Sequence, residues 1–222
     1  MKKSARLKYS VSPPAEPSLP NDLLQIECGA DLFREREVLI QESLLENVHV
    51  QDLPATSLRF DACVLKAVNL ANGKFPNLRL KDVYLENCDL ANVDARGMKA
   101  IRVKFTNCRM TGFRAIEADC KDVRIEEGDQ RYLQFHSSSF HSAWFESCNF
   151  EEADFREADL RGARFHACNL ARAEMYGAKL AEADLRGSQI EGLRLNAADV
   201  FGATVDAAQA MILAALLGIK IC

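Results

Sequence analysis

The sequence predicts an all-β solenoid, a stack of short coils that is closed at its C-terminal end by one helix. The first observation is a period of five: every fifth residue from Ile40 to Val205 is apolar, with Gln130 as the exception. The second is that this register runs through 38–205 without slipping. The third is a new, alanine- and leucine-rich pattern after Asp206. A period of five fits neither helix nor strand, so each unit must turn a corner and stack on its neighbours.

The five-residue unit is most regular in 153–187, where a small, a polar and a large apolar residue recur, as in Ala183-Asp184-Leu185. This unit resembles the A(D/N)LXX motif of the pentapeptide-repeat family, and the resemblance covers about 38–205. It implies a right-handed quadrilateral β-helix with four units in each coil. About eight coils, at ~4.8 Å between neighbouring strands, would make a rod of about 40 Å.

Two segments precede the repeats. Residues 1–22 are expected to form a flexible tail, because its prolines fix φ and remove backbone donors; they are Pro13, Pro14, Pro17 and Pro20. The alternative is a docking peptide. Residues 23–37 are expected to cap the first coil with Leu23, Leu24 and Ile26.

Residues 206–222 are expected to cap the other end with a helix followed by a short strand at Ile219–Ile221. Asp206 can cap the start of the helix and Gly218 can end it. The helix is apolar on nearly every side, so contact with the last coil cannot cover it all. We expect the remaining surface to form a two-fold homodimer contact, as in characterised relatives, through Met211, Ile212 and Leu216.

Twenty-residue coils place several small residues in one inward column, namely Val48, Val68, Cys88, Cys108, Gly128, Cys148, Cys168 and Ser188. The cysteines form either a redox ladder or, as we favour, a small apolar filling of a narrow lumen. The unit 127–131 is the weakest, because Gly128 and Gln130 hold its inward positions. It is expected to form a local bulge or kink; a functional loop is the alternative.

The sequence offers no motif for catalysis. The four histidines, His49, His136, His141 and His166, all take outward positions, and none shares a corner with a nucleophile. The eight cysteines form no CxxC pair. We therefore expect no enzyme activity, no cofactor and no metal. An export signal and a membrane span are also not expected, which favours a cytoplasmic protein.

One outward position differs from the rest. Trp144, the only tryptophan, has Arg124 one coil before it and Arg164 one coil after it. We expect a cation–π sandwich, with an exposed anchor for a partner as the functional alternative. Tyr132 and Tyr176 are weaker candidates for contacts with a partner.

The favoured function is a non-catalytic scaffold for an unknown protein partner, without direct nucleic-acid binding. The alternative is a DNA mimic that binds DNA gyrase, as relatives in the quinolone-resistance group do. B-DNA carries about one charge per 1.7 Å, so a rod of ~40 Å would need about 24 negative charges. Residues 37–205 hold 21 basic and 26 acidic residues, and a basic belt at 96–124 lies before an acidic belt at 146–159. This charge pattern disfavours the DNA mimic.

Overall fold

In the computed structural model the chain winds into a parallel β-solenoid, described over residues 12–26, 37–49, 57–216 and 218–220. Nine strands form one sheet, and every strand pair is parallel. The strands are β1 Leu24–Ile26, β2 Glu37–Gln41, β3 Ser43–Glu46, β4 Ser57–Lys66, β5 Arg79–Glu86, β6 Lys99–Thr106, β7 Asp119–Glu126, β8 Ser139–Glu146 and β9 Arg164–His166.

The pairing register confirms a coil of twenty residues. Leu80 pairs with Ala100, Ala100 with Cys120, and Cys120 with Phe140. Strands account for about six turns, slightly fewer than the eight expected. Beyond β9 the ladder continues only as single bridges, the last of them between Asp184 and Thr204.

Each unit of five turns its corner at a fixed position. Every residue with positive φ from Glu42 to Gly202 has a number ending in 2 or 7, apart from Gly128. Asparagine and glycine, which tolerate the left-handed region best, hold many of these positions. The period of five is therefore the distance between successive left-handed residues.

The corners are of two kinds. In a tight corner the backbone closes a type II turn, as where the N–H of Leu78 donates to the carbonyl of Phe75 at 3.0 Å. In a wide corner the strand continues on both sides of the residue with positive φ. Strands β4 to β8 each pass through such a corner, for example at Asp82 in β5 and Asp122 in β7.

A side chain from the next coil closes several wide corners. The hydroxyl of Ser188 donates to the carbonyl of Phe165 and accepts from the N–H of Cys168, both at 3.0 Å. Five cysteines likewise donate to the carbonyl 23 residues earlier at 3.2–3.6 Å: Cys63 and, in the same column as Ser188, Cys88, Cys108, Cys148 and Cys168. The lumen column of small residues thus replaces the missing turn hydrogen bonds.

These thiols are structural. Burial raises the pKa of the Cys120 thiol, and it is also the largest of the effects that raise the pKa of Cys148. Both thiols therefore remain protonated at neutral pH. The described cysteines are buried and free. The lumen-filling interpretation is supported, with a hydrogen-bonding role that the sequence did not reveal.

Phenylalanine fills the middle of the lumen. Neighbouring rings pack edge to face, with centroids 4.9 Å apart for Phe135 and Phe140 and 5.4 Å apart for Phe150 and Phe155. Such pairs add about 0.5–1.5 kcal/mol each beyond burial. The rod has a solid core along this part of its length.

The weak unit at 127–131 keeps the register without a kink. Gly128 has a φ of +87°, and a Cβ there would lie 2.2 Å from the carbonyl oxygen of Cys108. The buried amide of Gln130 lies beside this gap and donates to the carbonyl of Glu127 at 2.8 Å. Its oxygen accepts from the N–H of Asn149 at 3.1 Å. Gly128 and Gln130 thus compensate for each other.

The N-terminal segment differs from the expected flexible tail. Residues 12–22 lie against the rod rather than free of it, and residues 1–11 lie outside the described part of the chain. In the expected cap segment, β1 pairs with β3 and extends the sheet at its first edge. The remainder of that segment, 27–36, is outside the described residues.

The C-terminal helix α1, Ala207–Leu216, forms as expected. Asp206 and Gln209 form a capping box, with reciprocal backbone-to-side-chain bonds of 2.9 and 3.0 Å. The buried amide of Gln209 also donates to carbonyls of the last coils, and Gly218 ends the helix in a Schellman motif. The expected final strand does not form over Ile219 and Lys220, because the Schellman turn leads them away from the ladder.

Candidate interaction surfaces

The predicted sandwich around Trp144 is confirmed. The guanidinium carbons of Arg124 and Arg164 lie 5.1 and 4.8 Å from the centre of the indole ring. Parallel pairing of β7, β8 and β9 puts these three residues directly above one another, at the spacing between neighbouring strands. The ring is only partly exposed, so the arginines support its two faces.

Polar groups around the tryptophan are incompletely satisfied. The indole Nε1 of Trp144 and the Nε of Arg124 are buried, and neither meets a hydrogen-bond partner within the described part of the chain. A shallow pocket of about 260 Å³ lies on the same face, lined by Trp144, Phe145, Glu146, Arg164 and His166. This corner of the rod combines an aromatic ring, two arginines and unused donors.

The N-terminal segment 12–20, which we call the strap, lies along a neighbouring part of the outer face. The N–H of Ala15 donates to Asp122 at 3.2 Å, and the N–H of Ser18 donates to Asp82 at 2.9 Å. Both acceptors are left-handed residues of wide corners. The strap therefore crosses two coils, running against the direction in which the coils are added.

An ion pair holds the strap close to the tryptophan. The carboxylate of Glu16 lies 2.9 Å from the guanidinium of Arg124, the residue that stacks on Trp144. Pro14, two residues before Glu16, is buried although it belongs to a surface segment. Strap and sandwich are thus joined through one arginine.

Hydrogen bonds from Arg102 hold the acceptor Asp82 in place. Its carboxylate is 4% exposed and receives two hydrogen bonds of 2.6 Å from Arg102, one coil later. Burial raises the pKa of Asp82, but the bonds from Arg102 and from the N–H of Ser18 outweigh it and hold that pKa below its ordinary value. Asp82 is therefore ionised and can accept the hydrogen bond from the N–H of Ser18.

The basic belt at 96–124 is largely neutralised. Five of its eight cations pair with carboxylates from the strap or nearby coils: Arg96 with Asp94, Arg102 with Asp82, Lys104 with Glu126, Arg109 with Asp89 and Arg124 with Glu16. Three of these five pairs join neighbouring coils, so part of the charge segregation seen in the sequence is neutralised between coils.

The acidic belt repeats the clamp that joins Asp94 to Arg96. Asp159 accepts two bonds from Arg161, two residues later, and the same clamp joins Asp154 to Arg156. Asp184 repeats it with Arg186 in the following coil. In the sequence this is an Asp-x-Arg pattern in phase with the unit of five, a signal that charge counting overlooked.

Other residues with an expected contact role are spread over the molecule. Tyr132 and Tyr176 are exposed, but neither is part of the Trp144 sandwich. On α1, Met211 and Leu216 are exposed, whereas Ile212 is half-buried against the core. The structure thus separates two surfaces, the Trp144 face and the C-terminal cap.

The docked strap agrees with the alternative that the sequence left open, a docking peptide, rather than with the favoured flexible tail. Its prolines Pro14, Pro17 and Pro20 recur every third residue, which is the repeat of a polyproline II helix. That spacing is the signal that distinguishes an ordered extended segment from a flexible tail.

A continuous register and a filled lumen define the described part of the chain as a β-solenoid. A family model described as pentapeptide repeats matches residues 79–114 and 148–187 in eight copies. These two segments of the chain consist of pentapeptide repeats. None of the curated proteins matches its sequence.

Solved structures of pentapeptide-repeat proteins are similar to this chain. Full-length QnrB1, a plasmid-mediated fluoroquinolone resistance protein, is 20% identical, with coverage of 89% of this chain and 97% of its own and a TM-score of 0.36. HetL of the cyanobacterium Nostoc sp. strain PCC 7120, involved in heterocyst differentiation regulation, is 16% identical, with coverage of 77% and 88% and a TM-score of 0.31. These roles are attributes of those two proteins.

The described residues contain neither a membrane-spanning helix nor a metal-binding cluster. No helix there is both long and apolar enough to cross a membrane. No group of three or more His, Cys, Asp or Glu side chains in that part of the chain is placed to hold a metal ion.

Proposed function

We propose that this protein is a non-catalytic scaffold that binds other proteins along a rigid rod and forms a homodimer through its C-terminal cap. The observation that carries the proposal is the concentration of exposed apolar side chains at one end. Phe201 is 83% exposed, and Met211, Leu216 and Ile219 are each about half exposed. The matching family model describes a structural repeat rather than an enzyme.

The cap supports a second copy of this chain as the partner at that end. Gln209 and Leu213 cover the last coil, and on the opposite side of α1 no described residue covers Met211 or Leu216. Around the exposed Met211 and Leu216 the described helix carries no charged side chain. Apolar patches of this kind are typical of interfaces, and a two-fold contact between identical helices closes without leaving a free surface.

The DNA-mimic alternative has less support. Acidic residues of the rod alternate with arginines that clamp them, as Arg161 clamps Asp159 and Arg186 clamps Asp184. A stripe of phosphate-like charges requires carboxylates that are free of such partners. The Asp-x-Arg clamps therefore favour a scaffold for proteins over a substitute for DNA.

Light scattering coupled to size-exclusion chromatography tests the dimer. At micromolar concentration we expect the mass of two chains for the wild type and of one chain for a Met211→Lys, Leu216→Lys double variant. The matched control is Tyr176→Lys, which changes an exposed aromatic on the rod and should remain dimeric. A wild-type protein with the mass of one chain would contradict the homodimer.

A further inference from the structure

The strap and the rod have matching repeats. Three residues of polyproline II span about 9.3 Å at 3.1 Å per residue, and two coils span about 9.6 Å at ~4.8 Å per strand. Ala15 and Ser18 are three residues apart, and their acceptors Asp122 and Asp82 are two coils apart. An extended segment in this conformation can therefore bond to every second coil without strain.

The proline positions complete this match. Pro14 and Pro17 immediately precede the two N–H groups that donate to the rod. Proline fixes φ near −65° and biases the chain towards polyproline II, so the segment loses little conformational entropy on docking. The N–H groups that donate to the rod are therefore those that directly follow a proline.

The rod side of the contact is already organised before docking. Asp82 is oriented by two bonds from Arg102, and Arg124 is supported by stacking on Trp144. A face of oriented carboxylates and one arginine recognises an extended backbone with an acidic side chain. We call this surface, built by Asp82, Arg102, Asp122 and Arg124, the strap face.

We propose that the strap face is a recognition site for extended, proline-rich peptides with one acidic residue, and that the strap is its built-in competitor. The proposal deepens the scaffold function, since it names the class of partner. A partner segment with prolines every third residue and a carboxylate for Arg124 displaces residues 12–20 and takes over their contacts. The strap stays attached through β1, which pairs with β3, so it re-docks when the partner leaves.

Competition within one chain has a measurable consequence. A tethered segment acts at an effective concentration in the millimolar range, so it suppresses binding of the same sequence added as a free peptide. Weakening the strap without disturbing the rod should therefore increase the affinity for the free peptide. The strap lies outside the coils, which allows it to be changed separately.

The experiment measures the fluorescence anisotropy of a labelled synthetic peptide of residues 12–22 during titration with full-length protein. The test variant is Ala15→Pro with Ser18→Pro, which keeps the extended conformation but removes both N–H donors. The matched control is Ala15→Ser with Ser18→Ala, which retains both donors. We expect the test variant to bind the peptide at least tenfold more tightly than the wild type and the control do.

A second peptide tests the chemistry of recognition. Arginine in place of Glu16 should weaken binding to the test variant at least tenfold, because it faces Arg124. Absence of peptide binding by the test variant, with unchanged circular dichroism, would overturn the recognition site. Equal affinity for the test variant and the wild type would overturn the competition. Light scattering measures the mass of the protein independently of peptide binding. A monomeric mass would therefore contradict the homodimer without affecting the recognition site or the competition.

Discussion

The two parts of the rod, 57–146 and 150–193, share one register but close their corners differently. In the first part the corners at Asp82, Arg102 and Asp122 are wide, and the strands run through them. In the second part the same column turns tightly: the N–H of Ala163 donates to Leu160 at 3.0 Å, and the N–H of Ala183 donates to Leu180 at the same distance. The most regular repeats thus form turns, and the less regular ones form strands.

The residue after the corner differs between the wide and the tight corners of this column. The wide corners at Asp82, Arg102 and Asp122 are followed by Val83, Val103 and Val123, whereas the tight ones are followed by alanine. β-branched residues favour extended backbone, and alanine fits a close turn. Ala143 lies in β8 beside Val123 and remains extended.

The two parts of the rod also differ in their contacts with the strap. The strap bonds to corner residues Asp82 and Asp122 of the wide part. In the tight part the corresponding corner positions are Gly162 and Glu182. The regular half provides rigidity, and the irregular half provides the side chains that bind.

The largest expected effect is in the phenylalanine core at the start of the tight part. Phe155→Ala should lower the free energy of unfolding by about 3–5 kcal/mol, because the cavity removes contacts with Phe135, Phe150 and Phe165. Urea unfolding followed by Trp144 fluorescence measures it. Phe155→Leu, which keeps most of the volume, is the control and should cost clearly less. Equal costs for both would contradict a tightly packed lumen.

The next largest expected effect is the loss of stability when a side chain that closes a wide corner is removed. Cys148→Ala should cost about 1–3 kcal/mol, since it leaves the buried carbonyl of Ile125 without its donor. Cys148→Ser keeps a donor, as Ser188 does in the same column, and should cost less.

Cys120 is the control site for this test. Its thiol is fully buried and makes no hydrogen bond to the described residues. There the order should reverse, with Cys120→Ser costing more than Cys120→Ala, because a buried hydroxyl lacks a partner. The same order at both sites, measured by urea unfolding, would show that the corners do not depend on these donors.

The smallest expected effect is a decrease in the free energy of unfolding at acid pH. Hydrogen bonds from Arg161 and Arg186 hold the pKa of Asp159 and Asp184 below their ordinary values. Because the folded pKa is lower, each clamp stabilises the fold above about pH 4 and loses this contribution as the pH falls further. Each exposed clamp contributes less than about 1 kcal/mol.

The measurement compares unfolding free energies at pH 7 and pH 3. The decrease between these values should be smaller for Asp159→Asn than for the wild type. Lys179→Gln, which removes a longer contact of 3.8 Å to the same carboxylate, is the control and should leave most of the decrease in place. An unchanged decrease in Asp159→Asn would contradict a stabilising clamp.

Most of the fold could be predicted from the sequence, because the period of five is carried by apolar residues whose burial is obligatory. The sandwich at Trp144 followed from the same register, since positions twenty residues apart lie above one another. The corner types could not be predicted, because they depend on hydrogen bonds such as that of Ser188 to the preceding coil. A flexible tail was favoured over a docked peptide because composition alone does not distinguish mobile from ordered proline-rich chain.

The twenty-residue column has a consequence for how such a chain can change in length. An insertion of five residues keeps every corner in phase but rotates all later units by one face. Between Arg124 and Trp144 such an insertion would end the alignment of these two residues, and between Asp82 and Asp122 it would end the alignment of the two strap acceptors. Only insertion or deletion of a whole coil preserves both alignments on either side of it. Duplication in steps of twenty residues is therefore the route by which this rod can grow while keeping its surface pattern.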